Sequence, residues 1–540
     1  MKKKIVIPAL AIIVLLTTVS FKSDFFEIAK QIEIFTTLFK ELNMNYVDET
    51  NPAELMDAAI EGMLDDLDPY TKYWTEQEVE DAKINRSGEY SGIGATVRTK
   101  DGKMTIIEPR KDYPADKAGL KAGDEILKIG DITVSDFEGD AGDLLKGAPG
   151  SSLNLTYKRQ GKEKTTEITR SAVEVDAVPF YKLINDDIGY IVLTKFNAKA
   201  SAQVKEALES LKTDGATKII LDLRNNGGGL LLEAINICNL FLPKGEVITT
   251  TKSVIKKYNK TYRTPREPVD TEIPLAVLVN GRSASASEIV AGGLQDYDRA
   301  VVVGVRSFGK GLVQRPKPLT YGTQLKVTIS RYYTPSGRCI QALDYWNRDE
   351  EGNAVRTDEK DFNEFKTKNG RKVFDGGGVF PDIEVPSAAK SDITNALLAD
   401  NAIFKYATEF YYKNQFSDLN EFQFGDAQFE GFKSFLKKTN FDYEIETEAA
   451  FAKALKQAQE DGMEKAIASS YKALKQSIEN AKSKEIDKKK LEIQNALKDE
   501  IVKRYFYREG LYEYQLTNNE EIAEAIKVLQ DTKKYKSILN

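Results

Sequence analysis

Between residues 173 and 387 the chain alternates short, almost wholly apolar runs with stretches of helical period. The runs are Tyr190-Ile-Val-Leu193, Lys218-Ile-Ile-Leu-Asp-Leu223, Pro274-Leu-Ala-Val-Leu-Val279 and Ala300-Val-Val-Val303, with Leu325-Lys-Val-Thr-Ile329 beyond them. Continuous apolarity over so few residues describes a buried strand. Between the runs, Val204, Ala207, Leu208 and Leu211 fall at i, i+3, i+4 and i+7, and Leu230 to Cys238 reads as another helix. Strand–helix alternation of this kind leads to a layered α/β core.

The flanks differ in character. Lys2, Lys3 and Lys4 precede a mostly apolar stretch from Ile5 to Phe21, the layout of a secretory signal. Residues 1–22 are therefore expected to be a signal peptide or membrane anchor, with the rest exported, periplasmic or membrane-anchored outside the cytoplasm. Residues 23–84 read as helical: Asn51-Pro52 is a helix start, with Met56, Ile60, Met63 and Leu64 on one face and Asp68-Pro69 beyond the end. Residues 85–172 carry strand and turn signals, including Asp101-Gly102. Their Ala118-Gly-Leu and Gly123-Asp-Glu-Ile-Leu127 resemble a PDZ domain of the circularly arranged bacterial type. That resemblance implies a peptide added as an extra strand, its carboxylate held by the backbone of Gly92-Ile93-Gly94-Ala95. Residues 341–372, charged and without periodicity, are expected to be a surface insertion. Residues 388–540, rich in Lys, Glu, Ala and Gln, form a helical region. Its stripe of Ile467, Tyr471, Leu474, Ile478 and Ala481 is expected to pack within that region.

The chemistry is bounded by an absence: none of the 540 residues is histidine. Ser-His-Asp, Cys-His and His-ligated metal mechanisms are excluded together. The two cysteines, Cys238 and Cys339, lie in apolar runs and read as small buried hydrophobes. A net charge of −6 gives nucleic acid no general attraction. A serine nucleophile here needs another base, and a lysine neutralised by burial can serve. Ser285, in Ser283-Ala-Ser-Ala-Ser-Glu-Ile289, opens a helix after one strand. Lys310, in Ser307-Phe-Gly-Lys-Gly311, follows the next strand 25 residues on. Neighbouring strands would bring both junctions to one edge of the sheet. Lowering a lysine from about 10.4 to about 7–8 costs roughly 4 kcal/mol. Phe308, Leu312 and Val313 offer apolar surroundings for it, and no acid lies within several residues. The backbone N–H of Ala286, at a helix N-terminus, and the turn Gly227-Gly228-Gly229 could hold an oxyanion.

These motifs, with Asp68-Pro-Tyr-Thr71, Asp222-Leu-Arg-Asn-Asn226 and Pro381-Asp382, resemble the carboxy-terminal processing (tail-specific) proteases over residues 30–387. The resemblance implies a multidomain α/β serine endopeptidase: an α/β protease core over 173–387, a PDZ domain over 85–172, and helical regions at 23–84 and 388–540. It makes Ser285 the nucleophile, Lys310 the general base and Gln314 the residue that orients the lysine. Ala286 and Gly228 become the oxyanion donors; Gly227 stands where the family often has proline. Glu288 and Asp296 read as structural. The implied partners are proteins with apolar C-terminal tails, and peptide binding is expected to reposition the PDZ domain. No cofactor or metal is implied, and the helical regions are candidate homo-oligomer contacts. Residues 388–540 are expected to regulate or dock rather than catalyse.

Three rivals are weighed against this. A catalytically inactive PDZ scaffold that binds C-termini outside the cytoplasm would not need Ser285, Lys310 and Gln314 intact. A penicillin-binding-type enzyme places lysine three residues after serine, where this chain has Glu288. A signal-peptidase-like enzyme would not need the PDZ-like module.

Overall fold

The computed structural model describes residues 25–350, 352–386 and 390–540. The segment 1–22 lies outside them, as does the junction at 387–389. Among the described residues no helix is long and apolar enough to cross a membrane.

The chain forms two compact units. The smaller joins residues up to Glu76 with Gln314–Thr328. It holds a helix over residues 25–45, the helix Pro52–Asp65 and the strand Lys72–Trp74, which pairs antiparallel with residues 324–326. Asn51 caps the second helix by accepting the Ala53 N–H at 3.0 Å, and Pro52 takes the first helical position, where no N–H is needed. On the apolar face Met56, Ile60 and Leu64 are partly covered, but Met63 is 65% exposed. The Asp68-Pro-Tyr-Thr71 motif is a side-chain-closed turn: the Asp68 carboxylate accepts the N–H groups of Tyr70 (2.9 Å) and Thr71 (3.0 Å) and the Thr71 hydroxyl (2.9 Å).

The larger unit contains an antiparallel sheet in the order Ala95–Lys100, Lys103–Pro109, Glu125–Ile129, Ser152–Arg159, Lys162–Thr169, with Ile132–Thr133 beside the third strand. Asp101 and Gly102 both take positive φ (52° and 70°), as the tight hairpin turn requires. Met104, Ile106, Leu120, Ile126 and Leu155 form its core.

The central sheet runs Phe180–Ile184, Ile188–Val192, Lys218–Asp222, Leu275–Val279, Val301–Gly304, Ile383–Glu384. Its first pair is antiparallel and the others parallel. Ile188–Val192 and Leu275–Val279 are buried at every position, the physical meaning of their unbroken apolarity. One face is covered by Ala200–Thr213, Leu231–Phe241 and Ala286–Asp296. The other face is covered by Ile522, Ala525, Val528, Leu529 and Tyr535, on the last two helices, Glu520–Gln530 and Thr532–Leu539. The end of the chain therefore completes the core.

The remaining C-terminal helices build a separate cluster around Ile403, Phe410, Phe429, Phe432, Leu497 and Ile501. The long helix Lys490–Asn518 breaks at Tyr507, where φ is 59°. At this kink the Tyr507 hydroxyl donates to Asp116 at 2.7 Å, and Arg508 grips Glu108 through Nε (2.7 Å) and Nη2 (2.8 Å). Both acids belong to the antiparallel-sheet region. Ile467, Tyr471, Leu474 and Ile478 lie partly covered on Glu464–Lys488, which packs against Glu446–Glu460; Ala481 is exposed. Residues 341–372 are less irregular than their composition suggests: Leu343–Arg348 pairs with Ala354–Arg356, and Glu364–Lys366 with Lys372–Phe374.

Candidate active site

Two adjacent parallel strands, Lys218–Asp222 and Leu275–Val279, each run into a turn and then a helix at the same edge of the central sheet. The first turn is built on Asn226, which is fully buried. Its side chain donates to the Leu193 carbonyl at 2.7 Å and accepts the Gly228 N–H at 2.9 Å. Its carbonyl accepts the Ala284 N–H (3.0 Å) and the Ser287 hydroxyl (2.8 Å), so it binds the glycine turn to the serine turn. Gly228 must be glycine: its φ is +95°, and a Cβ there would stand 2.7 Å from the Ala284 carbonyl oxygen and 2.9 Å from Ala286 N.

Ser285 occupies the N-cap of the helix Ala286–Asp296 with φ 57° and ψ −109°. This is an unusual conformation for a residue with a side chain, and such strain persists only where the surroundings hold it. The restraints are visible. Ser285 N–H donates to Glu288 Oε2 at 2.7 Å, and its carbonyl accepts the Tyr332 hydroxyl at 3.2 Å. The Ala286 N–H follows at the first helical position, where no carbonyl of the helix can take it.

Glu288 is the centre of the arrangement. It is fully buried and accepts four donors: the Ser307 hydroxyl (2.6 Å) and Gly309 N–H (2.7 Å) on Oε1, and the Ser285 and Lys310 N–H groups (2.7 and 2.9 Å) on Oε2. Burial lifts its carboxyl above the ordinary glutamate value, and these four donors oppose that shift. One oxygen thus holds the main chains of Ser285 and Lys310 together. The two glycines beside Lys310 are packed against a neighbouring segment: a Cβ on Gly309 would stand 2.4 Å from Ala342 Cβ, and one on Gly311 3.0 Å from Gln341 N. Leu312 is buried as expected, whereas Phe308 is 39% exposed and contributes less to desolvating the lysine than its apolarity implied.

The larger unit therefore brings Ser285, Ala286, Gly228 and Lys310 into one constellation, with Gly228 N–H turned to Asn226. Gln314 belongs to the smaller unit. Its amide donates to Thr328 Oγ1 at 3.1 Å, and the Thr328 hydroxyl donates to Asp68 at 3.1 Å. Asp296 is paired with the fully buried Arg338 at 2.8 Å, a structural role. Burial holds both cysteine thiols above their ordinary value, which disfavours a thiolate at either.

The loop Gly92-Ile93-Gly94-Ala95 leads into the first strand of the antiparallel sheet. Ala95–Lys100 is the terminal strand of its sheet, and among the described residues no strand pairs with its outer edge. Gly94 has φ +69°, and a Cβ there would stand 2.4 Å from Tyr113 Cβ. Ile93 is buried, and the 3-10 turn Ala141–Leu145 packs beside the strand.

Two acids shape the site in ways that the catalytic motifs do not assign. Glu288 had a signal, since Ser285-x-x-Glu288 is a capping-box spacing. Glu521 had none. It and Asn519 bind Arg224 Nη1 at 2.9 and 2.8 Å, while Asp222 holds the same guanidinium through Nε and Nη2 at 2.6–3.1 Å. The turn bearing Gly228 is thereby tied to the C-terminal helices.

A strained serine on a helix N-cap, a lysine whose main-chain N–H meets the same buried carboxylate and an antiparallel sheet with a terminal strand after a glycine loop suit a serine-type peptidase with a PDZ domain. Comparison with known proteins agrees. The sequence models for peptidase family S41, the PDZ domain and the C-terminal helical domain of PDZ-proteases match residues 187–345, 91–169 and 393–529. A carboxy-terminal-processing protease of Bartonella bacilliformis is 38% identical over 323 residues, 58% of this chain and 73% of that protein. A CtpA-like serine protease of Staphylococcus haemolyticus is 35% identical over 309 residues, 56% of this chain and 61% of that protein. The solved photosystem II D1 C-terminal processing protease aligns with 66% of this chain and 88% of its own, at 25% identity and a TM-score of 0.37. The chain belongs to the carboxy-terminal-processing protease family, within peptidase family S41.

Proposed function

We propose that the protein is an endopeptidase using Ser285 and Lys310 as its catalytic pair, on proteins captured by their C-terminal tails. The neutral amine of Lys310 takes the Ser285 hydroxyl proton as the oxygen attacks the scissile carbonyl. The carbonyl oxygen becomes an oxyanion, received by the Ala286 N–H and by the Gly228 N–H once it leaves Asn226. Collapse of the intermediate breaks the C–N bond, and the lysine ammonium returns the proton to the leaving amine. Water then hydrolyses the acyl-serine by the same route. The observation that carries it is the shared oxygen of Glu288, which holds the main chains of both reacting residues.

The tail enters as an added strand beside Ala95–Lys100, with its carboxylate at Gly92-Ile93-Gly94-Ala95 and apolar side chains toward Ile93 and Leu145. Substrates are exported proteins, met outside the cytoplasm by a chain that segment 1–22 sends to or anchors in the membrane. The test is cleavage of an unstructured protein with an apolar C-terminus, beside the same substrate ending in an amide. Wild type is expected to cleave the free-tailed substrate and largely spare the amide. Ser285→Ala and Lys310→Ala should each lose at least about a thousandfold in kcat with unchanged circular dichroism. Retained cleavage in either variant would remove the pair from the mechanism; tail binding with no cleavage by wild type would make the chain a scaffold.

Self-association belongs to the same reading. On the helix over residues 25–45, Phe25, Ile28, Ile32, Phe35, Phe39 and Leu42 recur at alternating steps of three and four, the seam of a coiled coil. Phe25, Ile28, Ile32 and Phe35 are 73%, 56%, 61% and 42% exposed, and a second copy of the helix would cover them. Ile32→Lys is expected to turn a dimer into a monomer by sedimentation equilibrium; a monomeric wild type, or a dimer indifferent to the change, would refute this.

A further inference from the structure

The hairpin formed by Val247–Lys252 and Lys260–Arg263 has a composition unlike the rest of the chain. Residues 251–263 carry Lys252, Lys256, Lys257, Lys260 and Arg263 and no acid, in a chain whose net charge is −6. All five cations are exposed, and among the described residues none forms an ion pair. At the tip, Val254 is 99% exposed and Ile255 51% exposed. The tip is nonetheless built. Thr251 donates its hydroxyl to the Tyr258 carbonyl at 2.6 Å and accepts the Lys260 N–H at 3.1 Å. Ser253 N–H is held by Asn259 at 2.6 Å, and Ile255 N–H by the Ser253 hydroxyl at 3.1 Å. Two branched apolar side chains are thus held outward by an ordered turn.

We propose that this hairpin docks the protein onto an anionic phospholipid surface. An apolar point flanked by exposed cations that no carboxylate neutralises matches a membrane interface: Val254 and Ile255 enter the headgroup–acyl boundary while the lysines meet lipid phosphates. Long lysine stems let each ammonium reach headgroups as the tip sinks. An acidic protein surface would account for the cations and leave Val254 unexplained. The geometry also gives docking a use. Residues 250–252 pair with 331–333, and the Tyr332 hydroxyl donates to the Ser285 carbonyl. Docking therefore sets the proteolytic centre close to the membrane, where it meets segments emerging from the bilayer. That consequence rests on Ser285 as the nucleophile; the docking itself does not.

The test uses the full chain with Val254→Trp, with wild type and its two native tryptophans as the blank. Vesicles of phosphatidylglycerol should blue-shift the added emission, brominated lipid should quench it, and pure phosphatidylcholine should do neither. Each cation near an anionic surface is worth about fivefold in affinity, so adding Lys256→Glu and Lys257→Glu should weaken the effect at least about a hundredfold. High salt should do the same. Cleavage of a soluble peptide should be unchanged in all these variants, which separates failure of docking from failure of the catalytic reading. An unshifted tryptophan on vesicles that carry the chain would overturn the proposal. So would an equal shift on neutral vesicles, or a response to polyglutamate without one to vesicles, which would mark an acidic-protein site.

Discussion

Replacing Glu288 by alanine is expected to abolish peptide cleavage, and replacing it by glutamine to lower kcat by about 10–100-fold, with KM nearly unchanged. Alanine leaves four donors without an acceptor in a fully buried site. Each buried group so orphaned costs about 1–3 kcal/mol, so the turn around Lys310 and the strained Ser285 backbone would relax away from their present geometry. Glutamine keeps the volume but must turn an NH2 group toward one pair of donors. Facing Ser285 and Lys310 it would meet two N–H groups that cannot accept. Facing Ser307 and Gly309 it could donate to the hydroxyl, losing only the Gly309 bond. The second orientation wins, and one lost bond of about 1–3 kcal/mol sets the tenfold-to-hundredfold range. Steady-state kinetics on a short peptide, with thermal melts alongside, would check the order wild type, glutamine, alanine. A glutamine variant with wild-type kcat and an unchanged melt would mean that the carboxylate does not position the pair.

Removing residues 519–540 is expected to prevent the core from folding, rather than to release a regulated enzyme. The lost segment buries Ile522, Ala525, Val528, Leu529 and Tyr535 against a face that includes Tyr190, Ile220, Leu278 and Val303. Burial of each large apolar side chain is worth about 1.5–3 kcal/mol. Ala525 contributes less, yet the sum is comparable to the about 5–15 kcal/mol that stabilises a whole domain. The cut also leaves the Arg224 guanidinium, only 8% exposed, without Asn519 and Glu521. The expected result is aggregation and no cooperative melt. A soluble truncation that melts cooperatively and cleaves a short peptide would show that these helices regulate or dock rather than complete the core.

The contrast between these two cases shows how far the sequence reaches. The places of Ser285, Lys310 and the glycine turn beside the ends of central strands were legible because each is a local signal: a residue type fixed in a short motif, near an apolar run. The strands were legible because burial on both faces leaves no polar alternation. The acceptor beside Lys310 was not, since the chain has no acid near it and Glu288 arrives from 22 positions away. The hairpins of 343–374 carry no alternation that would announce them.

By itself the sequence determined the strands and helices of the central sheet, that histidine chemistry is absent, and which serine and lysine stand at junctions. Periodicity, caps and turns depend on neighbours a few residues apart, so they can be read along the chain. Only the tertiary structure decided that one buried carboxylate oxygen holds both Ser285 and Lys310, and that the last two helices complete the central sheet. An apolar stripe on Glu520–Gln530 says that the face must be covered. Because the hydrophobic effect is non-directional, it does not say by which surface.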